Sequence, residues 1–129
     1  MENLIIKGNQ TSPTVTFSID GKLKIQGRII TDNPVTSFKP LFDWIAELKC
    51  KKVLFDIEID YMNTSASMQL FSILELLESK KEIETLKVNW YYEEDDEDHL
   101  ETGHIFEQKL DRTEFTYIRL AGNPQDKMI

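Results

Sequence analysis

The sequence predicts a single two-layer α/β domain over residues 1–129, with a mixed β-sheet of about five to six strands and helices mainly on one face. Three observations predict it. An Asp-Gly turn joins two short alternating segments, which is typical of a β-hairpin. Helical and strand patterns then follow each other along the rest of the chain. Most strands alternate polar and apolar residues, which indicates that one face of the sheet lacks a layer of helices.

The chain opens with the hairpin. Apolar and polar residues alternate over 14–19 and again over 22–26, on either side of Asp20-Gly21. Residues 4–7 are expected to add a short edge strand.

Helices and strands follow in turn after the hairpin. Three segments place apolar residues at helical spacing and are predicted to be helices: 36–49, 65–81 and 95–110. Three others alternate and are predicted to be strands: 53–60, 85–92 and 114–120. The tail 121–129 is predicted to be flexible.

The net charge of −8 comes from one segment of the chain. Eight of the 23 acidic residues lie within 93–107, which holds no Lys or Arg, so the other 15 acids balance the 15 bases. Because the sequence has no basic patch that could bind a phosphate backbone, we do not expect nucleic acid as a partner. No segment approaches the roughly 20 apolar residues of a membrane helix, and no signal peptide pattern opens the chain, so no membrane partner is expected. The single cysteine, Cys50, fits a reducing compartment, and we expect a cytoplasmic protein.

The segment YMNTSASMQLF at 61–71 joins a predicted strand to a predicted helix and is unusually rich in helix-capping residues. Asn63, Thr64 and Ser65 are all of the type that caps a helix N-terminus, and none is followed three residues later by Glu or Gln. One of them is needed as the cap. If Asn63 is that cap, Thr64 is the first helical residue and its hydroxyl is accessible, where a phosphate would gain about 0.3–1 kcal/mol from the helix dipole.

The acidic segment leaves several functions open. Glu101 and His104 have the spacing of a Glu-x-x-His metal motif, although such sites need further ligands. The alternatives are therefore a divalent-metal-dependent enzyme or metal-binding protein using 93–107, and a solvated acidic face that binds a partner. No Gly-rich phosphate loop and no nucleophile motif are present in the sequence, so we expect no catalysis and no cofactor.

Three consecutive aromatic residues directly precede the acidic residues 93–98: Trp90, Tyr91 and Tyr92. Because successive side chains of a strand alternate, Trp90 and Tyr91 must face opposite sides of the sheet. The outward ring either contributes to a protein interface or covers the open sheet face.

Three segments together resemble the SiaC family of bacterial regulatory phosphoproteins. Residues 21–45 are similar to the strand, Gly-Arg turn and Phe-x-Pro-Leu-x-x-Trp helix of that family. Residues 60–67, DYMNTSAS, are similar to its Tyr-Phe-Asn-Thr-Ser-Ser motif. Residues 88–110 are similar to its Trp-Tyr-Tyr-Glu-Glu-x-Asp-Glu-Asp block ending in Glu-x-Gly. The chain departs from the family at Met62, Ala66 and the pair Thr31-Asp32, where Phe, Ser and Pro-Glu are usual.

The resemblance implies a partner-switching adaptor that is phosphorylated on Thr64, with Ser65 as the alternative acceptor. It implies a Ser/Thr kinase of the histidine-kinase-like ATPase type, a PP2C-type phosphatase, and an effector such as a diguanylate cyclase in cyclic-di-GMP signalling. The residues expected to bind partners flank the acceptor or belong to the aromatic and acidic block: Asn63, Ser65, Tyr91, Tyr92, Glu93, Glu94, Asp95, Asp96, Glu97 and Asp98. The remaining alternative is a constitutive binding module in which Thr64 is only a helix cap.

Overall fold

Strands and helices alternate along the chain in the computed structural model, which describes residues 1–121. Within that range, the strands are β1 Leu4–Ile6, β2 Thr14–Phe17, β3 Lys22–Ile29, β4 Lys52–Met62, β5 Thr85–Glu93 and β6 Glu114–Leu120. The helices of the same range are α1 Pro34–Glu47, α2 Thr64–Ser79 and α3 Glu97–Lys109. In the predicted tail, Ala121 is exposed, and residues 122–129 lie outside the described range.

The six strands form one mixed sheet in the order of the sequence. β1, β2 and β3 pair antiparallel, whereas β3 to β6 run parallel. The predicted hairpin between β2 and β3 is confirmed. Gly21 adopts a φ of +98° in its turn, a conformation that residues with a Cβ rarely adopt, and the Asp20 carboxylate accepts a hydrogen bond from the Lys22 amide at 3.0 Å.

The three helices cover one face of the sheet, as predicted. Right-handed crossovers between neighbouring parallel strands place successive helices on the same side. Along β4, the side chains of Val53, Phe55 and Ile57 are buried and the residues between them are exposed or half-buried. Trp44 of α1 packs on Phe17 of β2 with 5.4 Å between ring centres, so the helical layer extends over the hairpin as well.

The ends of most predicted elements shift by one to three residues, and the shifts of two elements affect the candidate site. α3 begins at Glu97 and not at 95, because the Asp96 carboxylate caps it by accepting a bond from the His99 amide at 3.0 Å. β4 runs to Met62 and not to 60, and it contains a register shift against β3 at which Asp60 has no strand partner. Both corrections concern residues at the edge of the sheet where the candidate site lies.

The glycine of the Glu-x-Gly pattern has a packing function. A Cβ on Gly103 would lie 2.8 Å from the Trp90 indole nitrogen and 3.0 Å from its Cδ1 atom. Trp90 is fully buried in the core, and its indole N–H donates to the His99 carbonyl oxygen at 3.1 Å. A side chain at 103 would therefore push α3 away from β5.

Candidate functional site

The candidate site lies at the edge where β4 and β5 end. Because the carboxyl ends of parallel strands meet at one edge, α2 and α3 both begin there. A cavity of about 330 Å³ opens between the two helix N-termini and the end of β4. The polar residues of its wall include Asp60, Thr64, Asp96, Asp98, His99 and Thr102.

Asn63 is the cap of α2. Its side-chain oxygen accepts a hydrogen bond from the Ala66 amide at 3.1 Å, and its side-chain nitrogen donates to the Thr31 carbonyl oxygen at 3.1 Å. Its backbone amide also donates to the Ile29 carbonyl oxygen at 3.1 Å. Asn63 therefore both caps the helix and attaches it to the end of β3.

Because Asn63 is the cap, the hydroxyl of Thr64 is not needed for that function. Thr64 is the first residue of α2, its side chain is exposed, and it lies in the cavity wall. Ser65 is also exposed but does not line the cavity. Ala66 is fully buried, so the serine that is usual in the family at this position would not have offered an accessible hydroxyl.

The acidic segment turns from β5 into α3, and much of it stabilises that turn. Asp96 is the cap of α3, and Glu97 and Asp98 lie in its first turn, where negative charge interacts favourably with the helix dipole. Glu94 lies 3.8 Å from the guanidinium of Arg119 on β6. Asp95 is exposed at the tip of the turn.

The two tyrosines expected to bind partners do not join Thr64 at the cavity. Tyr91 is half-buried on the sheet face that carries no helices. Burial is the main cause that raises its pKa, and the charges of Asp56 and Glu58 raise it further. Tyr92 is half-buried and packs against the core. Tyr91 therefore covers part of the open sheet face, and only Asp96 and Asp98 of the predicted acidic residues line the cavity.

Two residues of this cavity were not among the site residues predicted from the sequence. Asp60 is the unpaired residue at the register shift in β4, and His99 is a buried residue of α3 with 9% of its surface exposed. Burial lowers the pKa of His99, while the nearby charges of Asp96 and Asp60 oppose that effect. The rule that parallel strands end at one edge would have brought 60–64 next to 93–99.

His104 of the possible metal motif is engaged elsewhere. The ring of His104 packs on Tyr117 with 4.3 Å between centres, and its Nδ1 lies 3.9 Å from a Glu107 carboxylate oxygen. Among residues 1–121, no three His, Cys, Asp or Glu side chains are grouped to hold a metal ion. None of the helices in this range is long and apolar enough to span a bilayer.

Comparison with known proteins gives a family match over most of the chain. Residues 6–120 match the model of the SiaC family regulatory phosphoproteins. An uncharacterised protein of Pseudomonas aeruginosa strain UCBPP-PA14 is 26% identical over 113 residues, which are 84% of this chain and 90% of that protein.

Solved structures share the fold. SiaC of Pseudomonas aeruginosa superposes with a TM-score of 0.77 at 23% identity, covering 94% of this chain and 99% of that one. The SiaC chain solved in complex with the diguanylate cyclase SiaD, whose activator it is, gives a TM-score of 0.80 at 23% identity, over 91% of this chain and 99% of that one.

Proposed function

Because this chain belongs to the SiaC family of regulatory phosphoproteins, we propose that it is a non-enzymatic signalling adaptor whose partner choice is set by phosphorylation of Thr64. One observation carries the proposal. Asn63 caps α2, so the neighbouring Thr64 offers an exposed hydroxyl that the helix does not need.

A phosphate on Thr64 would act on an interface far more than on the fold. The phosphate adds about −1.5 to −2 charge at an exposed position, where water solvates it. A partner that covers Thr64 has to desolvate that charge, which costs several kcal/mol unless a base faces it. Since about 1.4 kcal/mol is a tenfold change in affinity, the modification can abolish binding while the domain stays folded.

The proposed partners follow the family. A Ser/Thr kinase of the histidine-kinase-like ATPase type adds the phosphate to Thr64, and a PP2C-type phosphatase removes it. The SiaC of Pseudomonas aeruginosa activates a diguanylate cyclase, and we propose an effector of this class for the unphosphorylated chain. Ser65 is the alternative acceptor, since it is also exposed.

The acidic turn is proposed as a docking surface for basic patches on these partners. Glu94, Asp95, Glu97 and Asp98 are exposed there, next to the cavity that contains Thr64. Opposite charges speed the encounter of two proteins and make it sensitive to salt. An association rate that stays constant between low and high salt would contradict this part of the proposal.

A pull-down from a lysate of the source organism tests the switch. The baits are wild type, Thr64→Ala and Thr64→Glu, with Ser65→Ala as the matched control for the neighbouring hydroxyl. We expect the diguanylate cyclase to bind wild type, Thr64→Ala and Ser65→Ala and to be lost from Thr64→Glu. The same partners on all four folded baits would indicate a constitutive binding module.

A further inference from the structure

One face of α2 runs from Thr64 into a groove between α2 and α3. Four residues of this face follow each other at spacings of three or four, which places them on one side of the helix: Thr64, Met68, Phe71 and Glu75. The last three line a groove of about 370 Å³. Ser67 lines both this groove and the cavity that contains Thr64. The cavity and the groove are therefore continuous along α2.

The groove exists because α3 lies further from α2 than α1 does. The backbones of α1 and α2 pack along each other, whereas those of α2 and α3 approach each other less closely. Aromatic side chains fill the bottom of the space between α2 and α3. Phe71 packs on the buried Phe106 with 5.1 Å between ring centres. The groove therefore has an apolar floor, at which the ring of Phe71 is half-buried.

Met68 is a large apolar side chain left in water above this floor. It is 66% exposed, and it lies one helical turn after Thr64 on the same face. Covering such a side chain together with an adjacent apolar floor is favourable, because apolar surface leaves water. Methionine is flexible and is often found at protein-binding surfaces. The groove therefore has the composition of a surface that binds a protein.

We propose that this groove is the docking site for an amphipathic helix of the effector. The inference rests on the proposed function, in which the unphosphorylated chain binds a diguanylate cyclase. The apolar side of the docked helix covers Met68 and Phe71, and its basic end faces the acidic turn. Thr64 and Phe71 are seven residues apart on α2, or about 10 Å. Two turns of a docked helix therefore reach from the floor of the groove to Thr64.

The walls of the groove favour a helix over an extended segment. Both walls are helices, so their backbone groups are bonded within α2 and α3. An extended segment binds by adding its backbone to a free sheet edge, which this groove does not offer. A helix satisfies its own backbone and needs only side-chain contacts, which the groove provides.

The charges of the chain exclude its own helices as the occupant. The upper end of the groove opens at Asp96 and Asp98, so the occupant needs bases there. The three described helices contain two lysines and no arginine. Lys39 is paired with Asp43 at 2.8 Å, and Lys109 lines the groove itself. A helix from a second copy therefore lacks the basic end, and the occupant comes from a different protein.

This placement explains how a phosphate on Thr64 would act. The docked helix covers Thr64 with the apolar side that continues from Met68. A phosphate adds about −1.5 to −2 charge at the end of the groove where Asp60, Asp96 and Asp98 already lie. The bases of the docked helix are already paired with the acidic turn, so the added charge is desolvated without a partner. The modification is therefore expected to displace the helix.

The affinity of purified variants for the diguanylate cyclase effector tests the groove. Met68→Glu is expected to weaken binding at least about tenfold, and Met68→Leu, which keeps an apolar side chain, is expected to bind within about twofold of wild type. Ile5→Glu is the matched control, because Ile5 is 72% exposed and belongs to β1, at the opposite edge of the sheet. Circular dichroism confirms that each variant is folded. Equal affinities of Met68→Glu and Ile5→Glu would overturn the inference.

Photo-crosslinking identifies the kind of segment that occupies the groove. Benzoylphenylalanine is placed at position 68 or 75, and the residues of the cyclase that it labels are mapped by mass spectrometry. These positions are seven residues apart on α2, so on a docked helix the two labelled sites are expected about seven residues apart. Labelled sites about three residues apart would indicate an extended segment. That result, or crosslinks to a second copy of this chain, would overturn the inference.

The groove and the switch fail separately. If Met68→Glu loses the cyclase but phosphothreonine at 64 leaves its binding unchanged, the groove is the docking site and the proposed switch is wrong. If the phosphate abolishes binding but Met68→Glu binds like Ile5→Glu, the switch is supported and the groove is not the docking site.

Discussion

The substitution Asn63→Ala tests the division of roles between the cap and the acceptor. It removes the hydrogen bond to the Ala66 amide and the bond to the Thr31 carbonyl, both 3.1 Å long. Loss of a cap costs about 0.5–2 kcal/mol, and loss of an ordinary hydrogen bond costs about 0.5–1.5 kcal/mol. The expected decrease in the free energy of unfolding is therefore about 2 kcal/mol.

Urea unfolding followed by far-ultraviolet circular dichroism measures this decrease. With a urea dependence of about 2 kcal/mol per molar, the midpoint is expected to fall by about 1 M. The Asn63→Asp variant keeps the acceptor of the cap and loses the donor to Thr31, so we expect it to lose roughly half as much. The Thr64→Ala variant is expected to change stability by less than about 0.5 kcal/mol, because Thr64 is exposed and does not cap the helix.

The opposite ranking would refute the reasoning. If Thr64→Ala lowered stability by 1 kcal/mol or more and Asn63→Ala had no effect, Thr64 would be the cap. Its hydroxyl would then be a structural group, and the assignment of the cap to Asn63 would be wrong.

Three further predictions concern the stability of the domain. Gly103→Ala is expected to lower the free energy of unfolding by about 1–3 kcal/mol in urea, because the new Cβ meets the Trp90 ring; a gain, as helix propensity alone suggests, would contradict the packing argument. Arg112→Ala is expected to cost on the order of 2 kcal/mol by the same measurement, since the guanidinium donates to carbonyl oxygens of residues 78, 80 and 83 at 2.7–2.9 Å, and Arg112→Lys should recover only part of the loss. Because the pKa of His99 is lowered from 6.5 in the folded state, the unfolded chain takes up the proton first, and stability is expected to fall as the pH decreases below about 6.5. The fall should be smaller in His99→Gln, and equal slopes for the two proteins would show that His99 does not contribute.

Local sequence signals were sufficient for most of the fold. The hairpin at Asp20-Gly21, the one-sided alternation and the helical spacing are each encoded within a few residues, so the six-stranded sheet with one helical face is confirmed. Element ends were harder, because they depend on single contacts. α3 was predicted two residues too early. The Asp96 carboxylate accepts the capping bond from the His99 amide, and composition alone cannot distinguish Asp96 from its five acidic neighbours.

The site was predictable only in part. Thr64 and the acidic segment stand out in the sequence. The sequence left open which of three residues caps α2, and the structure shows that it is Asn63, with Thr64 as the first helical residue. The juxtaposition of the two segments, however, arises from strands that pair far apart in sequence. Asp60 reaches the cavity through a register shift, and His99 looked like one polar residue among acids. Neither position has a local signal.

The measurement that tests the central claim most directly is the affinity of a purified diguanylate cyclase effector for the two forms of this chain. Calorimetry with unmodified protein and with protein that carries phosphothreonine at 64 gives both dissociation constants. Burial of an uncompensated phosphate predicts that the phosphorylated form binds at least about 30-fold more weakly, or roughly 2 kcal/mol. Dissociation constants that agree within about twofold, less than roughly 0.5 kcal/mol, would contradict the account, because Thr64 would then lie outside the interface it is proposed to control.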